Sequence, residues 1–147
     1  MAKLLTIDGL NIVRRVYEAN RDPDTPEKAE AALRHALSSF RTILSMHEPT
    51  HALAAFDYGG PTWRHELYPK YRENRKPMPD VLKERLPAFQ ESLSELGLMV
   101  VSIPGVEADD VIATVIMRWL TEGRGDAIVA LHGSWNRSAR TGSKVVI

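Results

Sequence analysis

The 147-residue sequence has no cysteine. Disulfides and thiolate metal sites are therefore excluded, and any metal must be held by oxygen or imidazole ligands. Long apolar runs are also missing, and none approaches the ~18–20 residues of a membrane span. The N-terminus carries one Lys and reaches Asp8 after a short apolar stretch, too short for a secretory signal. These absences lead to the expectation of a soluble, cytoplasmic protein with no membrane partner. The usual nucleotide cradles are missing: no G-x-x-x-x-G-K-[ST] loop occurs, and no G-x-G-x-x-G follows the first apolar run. No G-x-S-x-G nucleophile elbow occurs either. The five histidines (His35, His47, His51, His65, His132) lack zinc spacing. The remaining composition, 44% hydrophobic and 26% charged, is that of one ordinary globular domain with a single core.

Net charge is lacking too, with 19 basic and 19 acidic residues. That zero is a sum of opposed blocks. Residues 62–77 hold five basic side chains (Arg64, Lys70, Arg72, Arg75, Lys76) against two acidic ones, a net +3. Residues 91–110 hold five acids and no Lys or Arg, a net −5. Such blocks can be solvated faces. Side by side they can also attract a polyanion and hold cations against it.

Apolar runs at residues 4–7, 51–56, 98–103 and 126–130 read as strands. Helices are predicted between them. Thr25-Pro26-Glu27 is a helix start, with Thr as N-cap and Pro in the first turn. Ala29, Leu33, Ala36, Leu37, Phe40, Ile43 and Leu44 then recur at helical spacing. A second stripe runs from Val81 to Leu96, where Pro87 should kink or split the helix. A third begins at Glu107 and stops at Gly123. Residues 58–79 read as a long polar connection, and Asp8-Gly9 as a turn. The expected fold is α/β, a mostly parallel sheet flanked by helices.

In such sheets ligands bind at the carboxyl ends of the strands. Asp8 follows the first run, Asp57 the second, and Glu107, Asp109 and Asp110 the third. Each acid alone suits a turn or the positive end of a helix. Gathered in one crevice they repel unless cations neutralise them, and oxygen-only ligands favour Mg²⁺ or Mn²⁺. The connection WRHELYPKYRENRKPMP at 63–79 interleaves Arg and Lys with Trp63, Tyr68 and Tyr71. This composition suits phosphate contacts and base stacking. An exposed charged loop has the same composition.

Five segments carry a resemblance: Ile7-Asp8-Gly9-Leu10-Asn11, Ala55-Phe56-Asp57, Arg64-His65-Glu66-Leu67-Tyr68, the stretch from Tyr71 to Pro79, and Pro104-Gly105-Val106-Glu107-Ala108-Asp109-Asp110. Together they resemble the 5′-nuclease (flap endonuclease) family. The resemblance implies a PIN-like, resolvase-like N-terminal core over residues 1–130, with an arch at about 58–80 and a divergent tail at 131–147. It implies metal-dependent hydrolysis of DNA at a 5′ single-stranded end or flap. Asp8, Asp57, Glu107, Asp109 and Asp110 match the family's catalytic, metal-binding acids. Arg14, Arg64, Tyr71, Arg72, Arg75 and Lys76 match its DNA-binding side, and Arg72, counted also as catalytic, stands where the family usually has Lys. The chain departs from the family after residue 130. The family continues with a Ser/Thr-x-Asp-Lys-Asp-like motif and a helix–hairpin–helix module, whereas here no Asp or Glu follows Asp126. The expectation is a C-terminally truncated nuclease core of reduced activity. The alternatives are a non-catalytic binder of branched or single-stranded DNA and a PIN-type ribonuclease. The latter lacks the 71–79 loop. Nothing in the sequence indicates an oligomeric state.

Overall fold

The computed structural model of the chain describes residues 2–130 and 145–146. Strand β1 (Ala2–Asp8) buries Leu4, Leu5, Thr6 and Ile7, as a strand covered on both faces must. Thr6 is the polar exception in that run, and its hydroxyl donates to the Ile128 carbonyl at 3.2 Å. The other strands are β2 (His51–Asp57), β3 (Met99–Ile103), β4 (Gly125–Ala130) and β5 (Val145–Val146). They pair in parallel in the order β3-β2-β1-β4-β5. The register sets Asp8 opposite Ala55 and Asp57 opposite Ile103. The carboxyl ends of three adjacent strands therefore lie side by side.

Alternation along the strands splits the core into two layers. Leu5, Ile7, Ala54, Phe56 and Ile128 face one layer. It is built with α1 (Gly9–Ala19), α2 (Pro26–His47), α4 (Asp80–Lys83) and α5 (Leu86–Glu95). Leu4, Leu53, Ala55 and Ala127 face the other layer, which α6 (Ala108–Thr121) covers. None of the helices described is long and apolar enough to cross a membrane.

The expected helix starts and breaks occur. The Thr25 hydroxyl accepts the Lys28 N–H at 3.1 Å, with Pro26 in the first turn. Pro87 sits in the first turn of α5 and separates it from α4, so the stripe from Val81 to Leu96 is split, not continuous. Two helices escaped the sequence reading. One is α3 (Trp63–Leu67), a single turn within the 58–79 connection. The other is α1, which begins where a turn was expected. Asp8 is its N-cap, accepting the Asn11 N–H at 3.1 Å. Gly9 is there for space. A Cβ on it would stand 2.3 Å from Cζ of Phe56, a ring that is only 1% exposed. Most of the tail, 131–144 and 147, lies outside the described residues.

The Gly9–Phe56 contact yields a prediction. Overpacking a filled core costs about 1–3 kcal/mol, which outweighs the ~0.5–1 kcal/mol that helix propensity grants Ala over Gly. Gly9→Ala is expected to lower the urea unfolding midpoint, and adding Phe56→Leu is expected to recover part of the loss. An additive pair of effects would refute this packing account.

Candidate functional site

The β1, β2 and β3 ends deliver their acids to a common crevice. Asp8 and Asp57 close β1 and β2, and Glu107 caps α6 just beyond β3. Asp57 Oδ1 accepts the Ala108 N–H at 2.7 Å, which ties the end of β2 to the first turn of α6. Asp109, exposed on that first turn, lies against Asp8. Burial and then the neighbouring carboxylates Asp109 and Asp57 push the Asp8 carboxyl up to about 6, against the opposing hydrogen bond from Asn11. Asp8 thus feels the charge of both Asp57 and Asp109.

Two arginines from the 58–79 connection answer the remaining acids. Arg64 Nη1 donates to Glu107 Oε2 at 2.6 Å and to Asp110 Oδ2 at 2.7 Å, while Nη2 donates to Asp110 Oδ1 at 2.9 Å. Its guanidinium lies 4.2 Å from the Trp63 ring centre, and the Trp63 indole N–H donates to Asp110 Oδ2 at 3.2 Å. The Arg64 bonds hold the Asp110 carboxyl down at about 2, and the acids in turn raise the Arg64 value. Arg72 stands between Asp57 Oδ2 at 3.6 Å and Glu107 Oε1 at 3.4 Å. Its backbone is left-handed, with φ of 58°. Tyr71 donates its hydroxyl to Glu107 Oε2 at 3.4 Å, accepts from Arg72 Nε at 3.1 Å, and packs edge-on against His65.

Arg14, Arg72, Arg75 and Lys76 line a cleft of about 610 Å³ together with Asp57 and Glu107. Arg14 Nη1 reaches the Lys76 carbonyl at 3.5 Å, and its Nε is buried without a partner. Burial and the Arg75 charge lower the Arg14 value. Arg75 and Lys76 are exposed. The six basic and aromatic residues expected on the nucleic-acid side therefore divide. Arg14, Arg75 and Lys76 face the cleft, Arg72 lines it while pairing with Asp57 and Glu107, and Arg64 and Tyr71 engage carboxylates. Trp63 and His65 have structural tasks that composition did not reveal. Trp63 braces Arg64 and Asp110, and His65 Nδ1 accepts the Thr62 N–H at 3.0 Å to close the start of α3. The Thr62-x-x-His65 spacing was the available signal for the second.

Among the described residues no three His, Asp or Glu side chains stand as a formed ligand shell. The donor set nevertheless fits a hard divalent ion. Every candidate ligand is a carboxylate oxygen. Glu107 is 4% exposed, and its Oε1 is buried with no hydrogen bond. Such an atom is costly to leave so.

Comparison with known proteins agrees with this geometry. Residues 3–131 match the family described as 5′-3′ exonuclease, N-terminal resolvase-like domain. The flap endonuclease Xni of Psychromonas ingrahamii is 41% identical over 115 residues, covering 77% of this chain and 44% of that protein. The flap endonuclease Xni of a Shewanella species is 39% identical over 129 residues, covering 88% and 48%. The chain thus spans about half the length of the curated relatives it matches. A T5 5′-exonuclease structure with bound divalent metal ions (zinc) shares the fold, with a TM-score of 0.62 at 20% identity over 86% of this chain and 48% of that one. A T5 flap endonuclease pseudo-enzyme-product complex with DNA and metal ions gives 0.59 at 20% identity over 86% and 47%. With its parallel sheet, its acids at three neighbouring strand ends and a family match spanning residues 3–131, the chain belongs to the 5′-3′ exonuclease family through its N-terminal, resolvase-like domain.

Proposed function

We propose that the crevice is a divalent-metal site for hydrolysis of phosphodiester bonds in DNA carrying a 5′ single-stranded end or flap. Mg²⁺ is the intended ion and Mn²⁺ a substitute. The observation that carries this reading is the placement of carboxylates from three strand ends under a basic loop, one of them with a buried oxygen lacking a hydrogen bond. The names of the flap endonuclease relatives support the substrate class. A DNA substrate is consistent with a cytoplasmic location.

In this reading Asp8, Asp57, Glu107, Asp109 and Asp110 form the acidic site. When bound, the divalent ion activates water and stabilises charge on the phosphate oxygens. The protein's own groups do the positioning. Arg14, Arg75 and Lys76 hold the phosphate backbone along the cleft, and the Tyr71 ring offers a base a stacking face. Arg72 is the movable charge. While it neutralises Asp57 and Glu107 it is not available to DNA; were those acids to hold a cation, its guanidinium would be left for a phosphate. An Arg here brings a planar fork where a Lys brings a point charge. A second reading, a non-catalytic DNA binder, is favoured by the pairing of Arg64 and Arg72 with Asp57, Glu107 and Asp110, because acids already neutralised by arginine need no ion.

Cleavage of a labelled 5′-flap duplex separates the two. Turnover in Mg²⁺ or Mn²⁺ that disappears in Asp109→Asn is the expected outcome. Salt-dependent binding with no cleavage at any metal concentration would select the binder. Mg²⁺ at about 100 times its dissociation constant is expected to stabilise the fold by about 2.7 kcal/mol, read as a rise in melting temperature, and Asp57→Asn should remove most of the rise. With Mg²⁺ bound, Arg72→Ala/Arg75→Ala is expected to lower the slope of log affinity against log monovalent salt for single-stranded DNA by about 1.4, that is ~0.7 per phosphate contact. An unchanged slope would take these arginines off the DNA path.

A further inference from the structure

From the geometry around α3 we infer that Arg64 is a positioning residue and not a DNA contact, and that it withdraws Asp110 from the set of metal ligands. The inference rests on the metal-site reading above and divides the labour within it. Arg64 fills both oxygens of Asp110 and one of Glu107 through three hydrogen bonds of 2.6–2.9 Å. A fork held bidentate on one carboxylate and shared with a second has little left to offer a phosphate. The guanidinium is also stacked on Trp63, whose indole N–H takes a further position on Asp110 Oδ2. Asp110 Oδ2 is additionally approached by the Glu107 N–H at 3.4 Å, closing the start of α6. Asp110 is thus consumed by Arg64, Trp63 and the helix cap.

The other face of Glu107 is different. Its Oε2 takes Arg64 and Tyr71, which turns Oε1 toward Asp57 and Arg72. Oε1 is buried and makes no hydrogen bond, with only the Arg72 guanidinium at 3.4 Å. Arg64 therefore orients Glu107 so that one oxygen is spent and the other faces Arg72, which also pairs with Asp57; Glu107 joins Asp8, Asp57 and Asp109 as the acids that Arg64 does not consume. These four acids are the ligand candidates. Trp63 and Arg64 act on them only through Glu107 and Asp110. Outer partners of this kind fix the orientation of ligands and govern metal affinity.

Mn²⁺ binding by calorimetry and by electron paramagnetic resonance tests the assignment on the full chain, with thermal unfolding confirming that each variant folds. Asp110→Asn is expected to keep Mn²⁺ affinity within about threefold, while Asp109→Asn loses about tenfold or more, the scale of a lost ligand or its direct support. Arg64→Gln frees Asp110, so the spectrum of bound Mn²⁺ should change. It should return to the wild-type form in Arg64→Gln/Asp110→Asn. Binding of single-stranded DNA in metal-free buffer gives the second arm. Arg64→Gln should leave the salt slope unchanged, whereas Arg75→Gln lowers it by about 0.7. The inference is overturned if Asp110→Asn weakens Mn²⁺ as much as Asp109→Asn, if the Arg64→Gln spectrum is that of wild type, or if Arg64→Gln lowers the salt slope. A wild-type chain that binds neither Mn²⁺ nor DNA overturns the metal-site reading itself.

Discussion

Carboxylates brought together at the ends of adjacent strands repel one another, and the arrangement persists only with compensating positive charge. Here that charge is borrowed from a connection some forty residues away in sequence, since Arg64 pairs with Glu107 and Asp110 at separations of 43 and 46 residues. Arg72 does the same less closely for Asp57 and Glu107. The path of the 58–79 connection over the sheet is thereby fixed by electrostatics more than by apolar packing. None of the α3 residues is buried, and Leu67 and Tyr68 are exposed. A loop held by charge is one that an ion or a polyanion can rearrange.

The sheet supplies the rigid half of the same device. Parallel register aligns the strand ends without reference to their charge, and helix α6 is tied to that edge by the Asp57 bond to the Ala108 N–H. Four of the five acids in the crevice are held by a backbone or side-chain tether: Asp8 by Asn11, Asp57 by Ala108, Glu107 and Asp110 by Arg64. Asp109 is the exposed member, with Asp8 as its neighbour.

Much of this was legible in the chain. The strand ends that bear Asp8 and Asp57 follow from short apolar runs, and α2 and the split at Pro87 follow from caps and proline chemistry, all of which are local. Helix α1 was not legible because Asp8-Gly9 has the composition of a turn. The reason for Gly9 is the Phe56 ring, which is 47 positions later and invisible to local patterning. The carboxylate contacts of Arg64 were hidden for a related cause. A basic residue among aromatics in a polar stretch has the composition of a phosphate contact, and only the folded path of the loop shows its guanidinium bonded to Glu107 and Asp110.

The contact between Gly9 and Phe56 has a bearing beyond stability. Gly9 follows Asp8 and Phe56 precedes Asp57, so the fit of a ring against a bare backbone acts as the spacer between two acids of the crevice. The separation of these two carboxylates is then a dimension inherited from the hydrophobic interior. The shape of the crevice and the shape of the core cannot drift independently here.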